Sequence, residues 1–164
     1  MKCIVISDSH RSEENISRAL SKNPDADMVF FLGDGIGGVE KHVERRDKQW
    51  VCVLGNCDRP TVIDGSFVKK VECVSFFGKK IVLTHGDLYG AKYGSGGLLA
   101  LAKEQGAAAV LYGHTHVAKE EYFPELGVTL FNPGSLEAGW GAQPSFGLLT
   151  VSEQGELLFS HGTL

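Results

Sequence analysis

A chain of 164 residues with 43% hydrophobic side chains can bury a substantial core, which argues against disorder and predicts a single domain over 1–164. Sixteen Lys and Arg against 20 Asp and Glu leave a formal charge of −4. That is the wrong sign for stable binding of duplex nucleic acid, and "ERRDK" (44–48) mixes charges rather than forming a basic patch.

In chain order, "CIVIS" (3–7) reads as a fully buried strand followed by polar "DSHRSEEN". "SEENISRALSKN" carries Ile16, Ala19 and Leu20 at helical spacing, with Ser12 or a neighbour as the expected cap, and Asn23-Pro24 stops it. "MVFFLGD" (28–34) is a second buried strand. The "GIGG" turn leads into a short helix over 39–47, and "WVCVLGN" (50–56) is a third strand. Strands and helices alternating in this way predict parallel βαβ units.

The pattern then changes. "FVKKVECVSF" and "KKIVLTHG" flank Phe77-Gly78 and predict a hairpin. "GGLLALAKEQG" (96–106) predicts a helix closed by Gly106, and "AAVLYGH" another buried strand. "KEEYFPELGVTLFNPGS", "SFGLLTVS" and "GELLFSHGTL" read as short antiparallel strands with Gly and Pro turns. The fold class expected is α/β, with two packed mixed β-sheets flanked by helices. No apolar run reaches the roughly 18 residues of a membrane-spanning helix, so no membrane association is expected. The N-terminus lacks the cleavage site of a signal peptide, so a cytoplasmic protein is expected. Cys3, Cys52, Cys57 and Cys73 form no CxxC pair, and reduced, mostly buried thiols are expected.

The chemistry follows the apolar runs. Asp8 and His10 follow the first, Gly33 and Asp34 the second, and Gly55, Asn56, Cys57 and Asp58 the third. His85 and Gly86 follow the strand at 81–84, and Gly113, His114 and His116 the one at 109–112. The carboxyl ends of strands form the ligand crevice of open α/β sheets, so these side chains can converge there. In an extended segment, positions i and i+2 point to one side, so His114-x-His116 can aim two imidazoles into one pocket. Each piece alone has a bland alternative: an Asx turn, a loop Gly-Asp, two rings hydrogen-bonded in a turn. Their conjunction at successive strand ends points to metal binding.

"DSH" (8–10), "GD" (33–34), "GNCD" (55–58), "HG" (85–86) and "GHTH" (113–116) resemble, in order and spacing, the calcineurin-like metallophosphoesterase superfamily. They look most like its small single-domain bacterial and archaeal phosphodiesterase branch. The resemblance spans residues 1 to about 150, including "NPGS" (132–135) and "PSFG" (144–147). It implies two divalent transition-metal ions. Asp8, His10, Asp34 and His116 would hold one, and Asp34, Asn56, His85 and His114 the other, with Asp34 bridging. Manganese is the first candidate, and Ni, Co, Zn or Fe also suit mixed nitrogen and oxygen ligands.

The activity implied is hydrolysis of a small or generic phosphodiester by a hydroxide bridging the metals, with Asn56, Cys57, Asp58 and His85 as the catalytic group. Asn56 can ligate through its amide oxygen and donate to phosphate through its NH₂. Arg11 is a candidate phosphate contact. Cys57 stands where the superfamily often has a histidine proposed as leaving-group acid, and a thiol with an ordinary pKa near 8.5 is a poor substitute. Asp58 reads as orienting its neighbours or as a turn acid.

"YGSGG" (93–97) lacks the Walker lysine and reads as a rim loop, and His42 and His161 as surface or packing residues. "LEAGWGAQ" (136–143) departs from the proline and basic residue that relatives often carry, which touches the substrate rim rather than the metal shell. Two rival readings stand beside the hydrolase. One is a non-enzymatic interaction scaffold of the same fold, as in a eukaryotic membrane-trafficking subunit, against which all seven ligand positions are filled. The other is a phosphomonoesterase, against which position 57 lacks histidine. Exposed β edges would also allow a homo-oligomer.

Overall fold

Side-chain alternation along the central strands decides how the layers of this protein stack. The structure is a computed structural model that describes residues 1–10, 12–137, 139 and 143–164. Its strands are β1 (Cys3–Ile6), β2 (Met28–Phe31), β3 (Gln49–Cys52), β4 (Val62–Ile63), β5 (Ser66–Phe67), β6 (Val71–Phe76), β7 (Lys79–Thr84), β8 (Ala109–Leu111), β9 (Lys119–Phe123), β10 (Val128–Asn132), β11 (Ser145–Val151) and β12 (Leu157–Thr163). Its helices are α1 (Glu13–Lys22), α2 (Glu40–Val43) and α3 (Gly96–Gln105), with single 3₁₀ turns at Ile36–Gly38 and Asp87–Tyr89.

One sheet has the order β12-β11-β1-β2-β3 and the other β6-β7-β8-β10-β9. Cys3, Val5, Phe30 and Leu32 from the first meet Ile81, Leu83, Ala109, Leu111 and Phe131 from the second in one buried layer. The alternate residues Ile4, Ile6, Val29 and Phe31 face outward onto Ile16 and Ala19 of α1. On the far side, Val82 and Val110 pack beneath Leu98, Leu101 and Ala102 of α3. The central strands are thus buried on both faces, which is why they read as unbroken apolar runs. Two mixed sheets between helical layers is the architecture the sequence predicts.

Within the first sheet β1, β2 and β3 are parallel, and β11 pairs antiparallel with β1. The predicted hairpin forms between β6 and β7. Phe77 and Gly78 turn it, with φ of 50° and 76°. Positive φ at both central residues is the twist a two-residue hairpin requires.

Three expectations shift. The helix at 39–47 shrinks to Glu40–Val43. Beyond Val43 the sequence is a charged run with no apolar position to anchor another turn, and Arg46 leaves the helix at φ 54°. The late strands are not all antiparallel, since β10 runs parallel to β8 and antiparallel to β9. Apolar patterning marks strands but not the direction of their neighbours. All four cysteines are free, but only Cys3 is fully buried, and Cys57 and Cys73 are exposed. Among the described residues no helix is long and apolar enough to cross a membrane.

Candidate metal centre

The loops that leave β1, β2, β3, β7 and β8 are tied directly to one another. Asp8 N donates to Gly33 O and His10 N to Asp34 O, both at 2.9 Å. Cys57 N donates to the Asp34 carboxylate at 2.8 Å, and His114 N to that of Asp8 at 3.1 Å. Gly113 N donates to His85 O at 3.0 Å. The predicted residues therefore meet because their backbones are laced together, not only because their strands end on one side.

The backbone there is strained. Asp8, His10, Asp34, His114 and His116 have φ of 53°, 43°, 59°, 67° and 60°. Only three other described non-glycine residues adopt the left-handed region. Such conformations cost on the order of 1–3 kcal/mol each and persist where surrounding contacts over-determine them, typically at functional sites. Glycine is required beside them. A Cβ at Gly113 would collide with Ser7 Oγ and Asp8 Oδ2, and one at Gly55 with the Asp34 carboxylate.

Asp8, Asp34 and His85 form a buried floor, while His10, His114 and His116 are half-buried and Asn56 is exposed. His116 Nε2 lies 3.0 Å from Asp8 Oδ1 and 3.5 Å from His10 Nε2. His85 Nε2 lies 3.4 Å from Asp34 Oδ2 and 3.9 Å from Asp8 Oδ1. Two groups have ligand atoms within 4.8 Å of one another: Asp8, His10 and His116, and Asp8, Asp34 and His85. The carboxylate common to both is Asp8, whereas the family resemblance gives the shared position to Asp34. His114 packs its ring 5.0 Å from that of His85 but joins neither group. Asn56 directs its amide at Cys57 Sγ, 3.4 Å away.

The donor set suits a cation. Asp8 Oδ1 and His85 Nε2 are buried and make no well-aligned hydrogen bond among the described residues, their nearest polar neighbours being His116 Nε2 at 3.0 Å and Asp34 Oδ2 at 3.4 Å. Leaving such atoms unpaired is costly, and a divalent ion would satisfy both. His85 Nδ1 donates to Leu32 O at 2.8 Å, which leaves the lone pair of Nε2 facing the carboxylates.

The electrostatics agree. Burial acts to raise Asp34, but the adjacent His85 ring and the Cys57 N–H outweigh it and hold the carboxyl well below the usual range. Burial acts to lower His85, yet Asp34 and Asp8 leave its pKa raised. Asp8 raises His116. His114 is lowered by burial and by the neighbouring His85 and Lys92. A floor that draws protons onto imidazoles also attracts metal ions.

Asp58 has a different position. Its carboxylate accepts from the backbone N–H groups of Asp34, Gly35, Ile36 and Gly55, at 2.8, 2.8, 3.0 and 2.9 Å. It staples the loop after β2 to the loop after β3 and holds Asp34 in place. The Cys57 thiol is raised, first by burial and then by Asp34. Arg11 lies outside the described residues. Glu137 Oε2, absent from the sequence-based site, comes within 3.8 Å of His10 Nε2. No local motif marks it, because only the fold brings position 137 to position 10. A cleft of about 590 Å³ beside β3, lined by Trp50, Cys52, Ile63 and Val68 among others, contains none of the predicted ligands.

The model of the calcineurin-like phosphoesterase superfamily domain matches residues 1–154. The chain belongs to that superfamily. The chain is 30% identical over 136 residues to the probable metallophosphoesterase YsnB of Bacillus subtilis, an alignment covering 83% of this chain and 75% of that one. Its fold matches a novel archaeal phosphodiesterase with a TM-score of 0.75 at 23% identity, covering all of both chains. It also matches wild-type Vps29 of Entamoeba histolytica complexed with zinc, with a TM-score of 0.71 at 21% identity over 99% of each chain.

Proposed function

We propose that this phosphoesterase hydrolyses a small phosphodiester at a centre of two divalent ions, built on a single domain over 1–164. The observation that carries the reading is the convergence of two buried atoms without a well-aligned hydrogen bond, Asp8 Oδ1 and His85 Nε2, within strained loops that share Asp8 between two ligand groups. The ligands proposed are Asp8, His10, Asp34, Asn56, His85, His114 and His116, with manganese as the first candidate ion. Bound ions would supply an acidified water and stabilise negative charge on phosphate oxygens.

The chain's own residues set the rest. His85 is locked by its bond to Leu32 O, and Asp34 by the Cys57 N–H. Asn56 stands exposed above the floor, where its amide can meet a phosphate oxygen. The Cys57 thiol, with its raised pKa, is a weak donor to a departing oxygen. That favours diesters whose leaving groups depart without protonation over monoesters.

The test is turnover of an aryl phosphodiester and of the matching monoester with Mn²⁺, Ni²⁺, Co²⁺ and Zn²⁺. The expected result is metal-dependent cleavage that favours the diester and is lost in Asp34→Asn and His85→Gln, each still folded. Silence with every ion would remove the proposal and favour the interaction scaffold, the reading supported by the fold shared with Vps29. Preference for the monoester would shift the substrate class alone.

A further inference from the structure

The "NPGS" segment follows β10 and contains none of the residues proposed to touch ions or substrate, yet it reaches two of the loops that do. Asn132 is fully buried at the end of β10. Its Nδ2 donates to Gly113 O at 2.9 Å and to Thr115 Oγ1 at 3.0 Å. Those two residues flank His114, and Thr115 precedes His116. Its Oδ1 accepts from Gly134 N at 2.9 Å, so both donors and the acceptor of one carboxamide are used. From the same segment, Ser135 Oγ donates to Asp8 O at 2.9 Å. The Asn132 carbonyl in turn accepts from His161 Nε2 at 2.8 Å, and the His161 ring stacks on Phe131 with centroids 4.6 Å apart.

We infer that Asn132 is a positioning residue whose buried amide grips the loop on both sides of His114 and sets the aim of His114 and His116. The inference rests on the proposed metal centre. Both histidines have positive φ, a strained conformation that persists where surrounding contacts over-determine it. The loop's own bonds, Gly113 N to His85 O, His114 N to the Asp8 carboxylate and Thr115 N to Gly113 O, fix its N–H groups. Asn132 supplies the only side-chain hydrogen bond to the Gly113 carbonyl among the described residues. Without that donor the Gly113 carbonyl keeps only the tight turn bond from Thr115 N at 2.7 Å, and the peptide before His114 loses its tie to β10. No charge or ligand is lost from the centre, only its geometry. Outer partners of metal ligands commonly matter in this way, and their loss costs about 10–100-fold in metal affinity.

The test titrates metal-free protein with Mn²⁺ alone and follows the free-ion signal by electron paramagnetic resonance. Three variants separate the parts. Asn132→Ala removes the whole amide. Asn132→Leu keeps the bulk of the side chain and removes its donors and acceptor without adding charge. Thr115→Val removes the half-buried hydroxyl, with its bonds from Asn132 Nδ2 and Val117 N, and leaves the Gly113 bond. With unchanged circular dichroism in the metal-free state, both Asn132 variants are expected to bind Mn²⁺ about 10–100-fold more weakly, and Thr115→Val several-fold more weakly. Excess Mn²⁺ should restore turnover, which a general folding defect would not allow. Affinity within about two-fold of wild type in folded Asn132→Ala would overturn the inference. So would a misfolded Asn132→Ala beside a Thr115→Val with wild-type affinity. A wild type that binds Mn²⁺ without cleaving the aryl diester sinks the hydrolase reading, and the affinities still judge Asn132. A wild type that takes up no Mn²⁺ sinks both.

Discussion

Asp58 shows how one carboxylate can matter without touching chemistry. It accepts four backbone N–H groups from the two loops that present Asp34 and Asn56. Hydrogen bonds to a charged acceptor are each stronger than neutral ones, and these four lose their acceptor together. Asp58→Ala is therefore expected to destabilise the metal-free protein by roughly 2–3 kcal/mol in urea unfolding. An unchanged midpoint would mean that water replaces the carboxylate at no cost. Asp8 makes the complementary case. Its Oδ1 is buried among imidazoles without a well-aligned hydrogen bond, so ion binding should stabilise the fold. Mn²⁺ at about 100 times its dissociation constant is expected to add about 2.7 kcal/mol, and Asp8→Asn should abolish that gain. Thermal unfolding with and without the ion reads both. The sequence names Asp8 and Asp58 equally well as acids at strand ends. It does not say that one sits among imidazoles and the other among backbone N–H groups, because that difference lies in which groups surround each.

At the level of elements, strand identity was legible because apolar runs buried on both faces leave a strong pattern. The caps were legible too. Ser12 accepts from Asn15 N at 3.3 Å and starts α1, so Ser12→Ala is expected to cost about 1 kcal/mol, measurable by chemical denaturation. A variant equal to wild type would mean the bond contributes nothing. The small hairpin of β4 and β5 turns on Asp64-Gly65, at φ 47° and 78°. That dipeptide is a strong hairpin signal, but the flanking strands are two residues each, too short to show alternation. The helix at 39–47 failed for the converse reason, since its polar end had no partner surface to hold it.

For the whole molecule, the helical layer over the outer face of the first sheet also sets a pH response. His42 is buried beside Trp50, with ring centroids 6.3 Å apart. Its pKa is lowered by burial and by Arg45, against the opposing pull of Glu13 and Asp47. The unfolded chain takes up a proton near pH 6.5 that the folded chain refuses, so this contribution to stability falls as pH drops below about 6.5. His42→Phe is expected to flatten the slope of unfolding free energy between about pH 7.5 and 5.5 relative to wild type, both metal-free. An identical slope would show that His42 does not titrate with unfolding. Sequence alone determined the class of fold and the chemical types at five strand ends, because hydrophobic period and side-chain chemistry are local properties. Tertiary structure alone decided that Asp8 lies between the two ligand groups, that Glu137 comes near His10, and that Asn132 braces the loop of His114. Those relations join residues far apart in the chain, and packing of the two sheets, rather than any local pattern, sets the ångström distances between them.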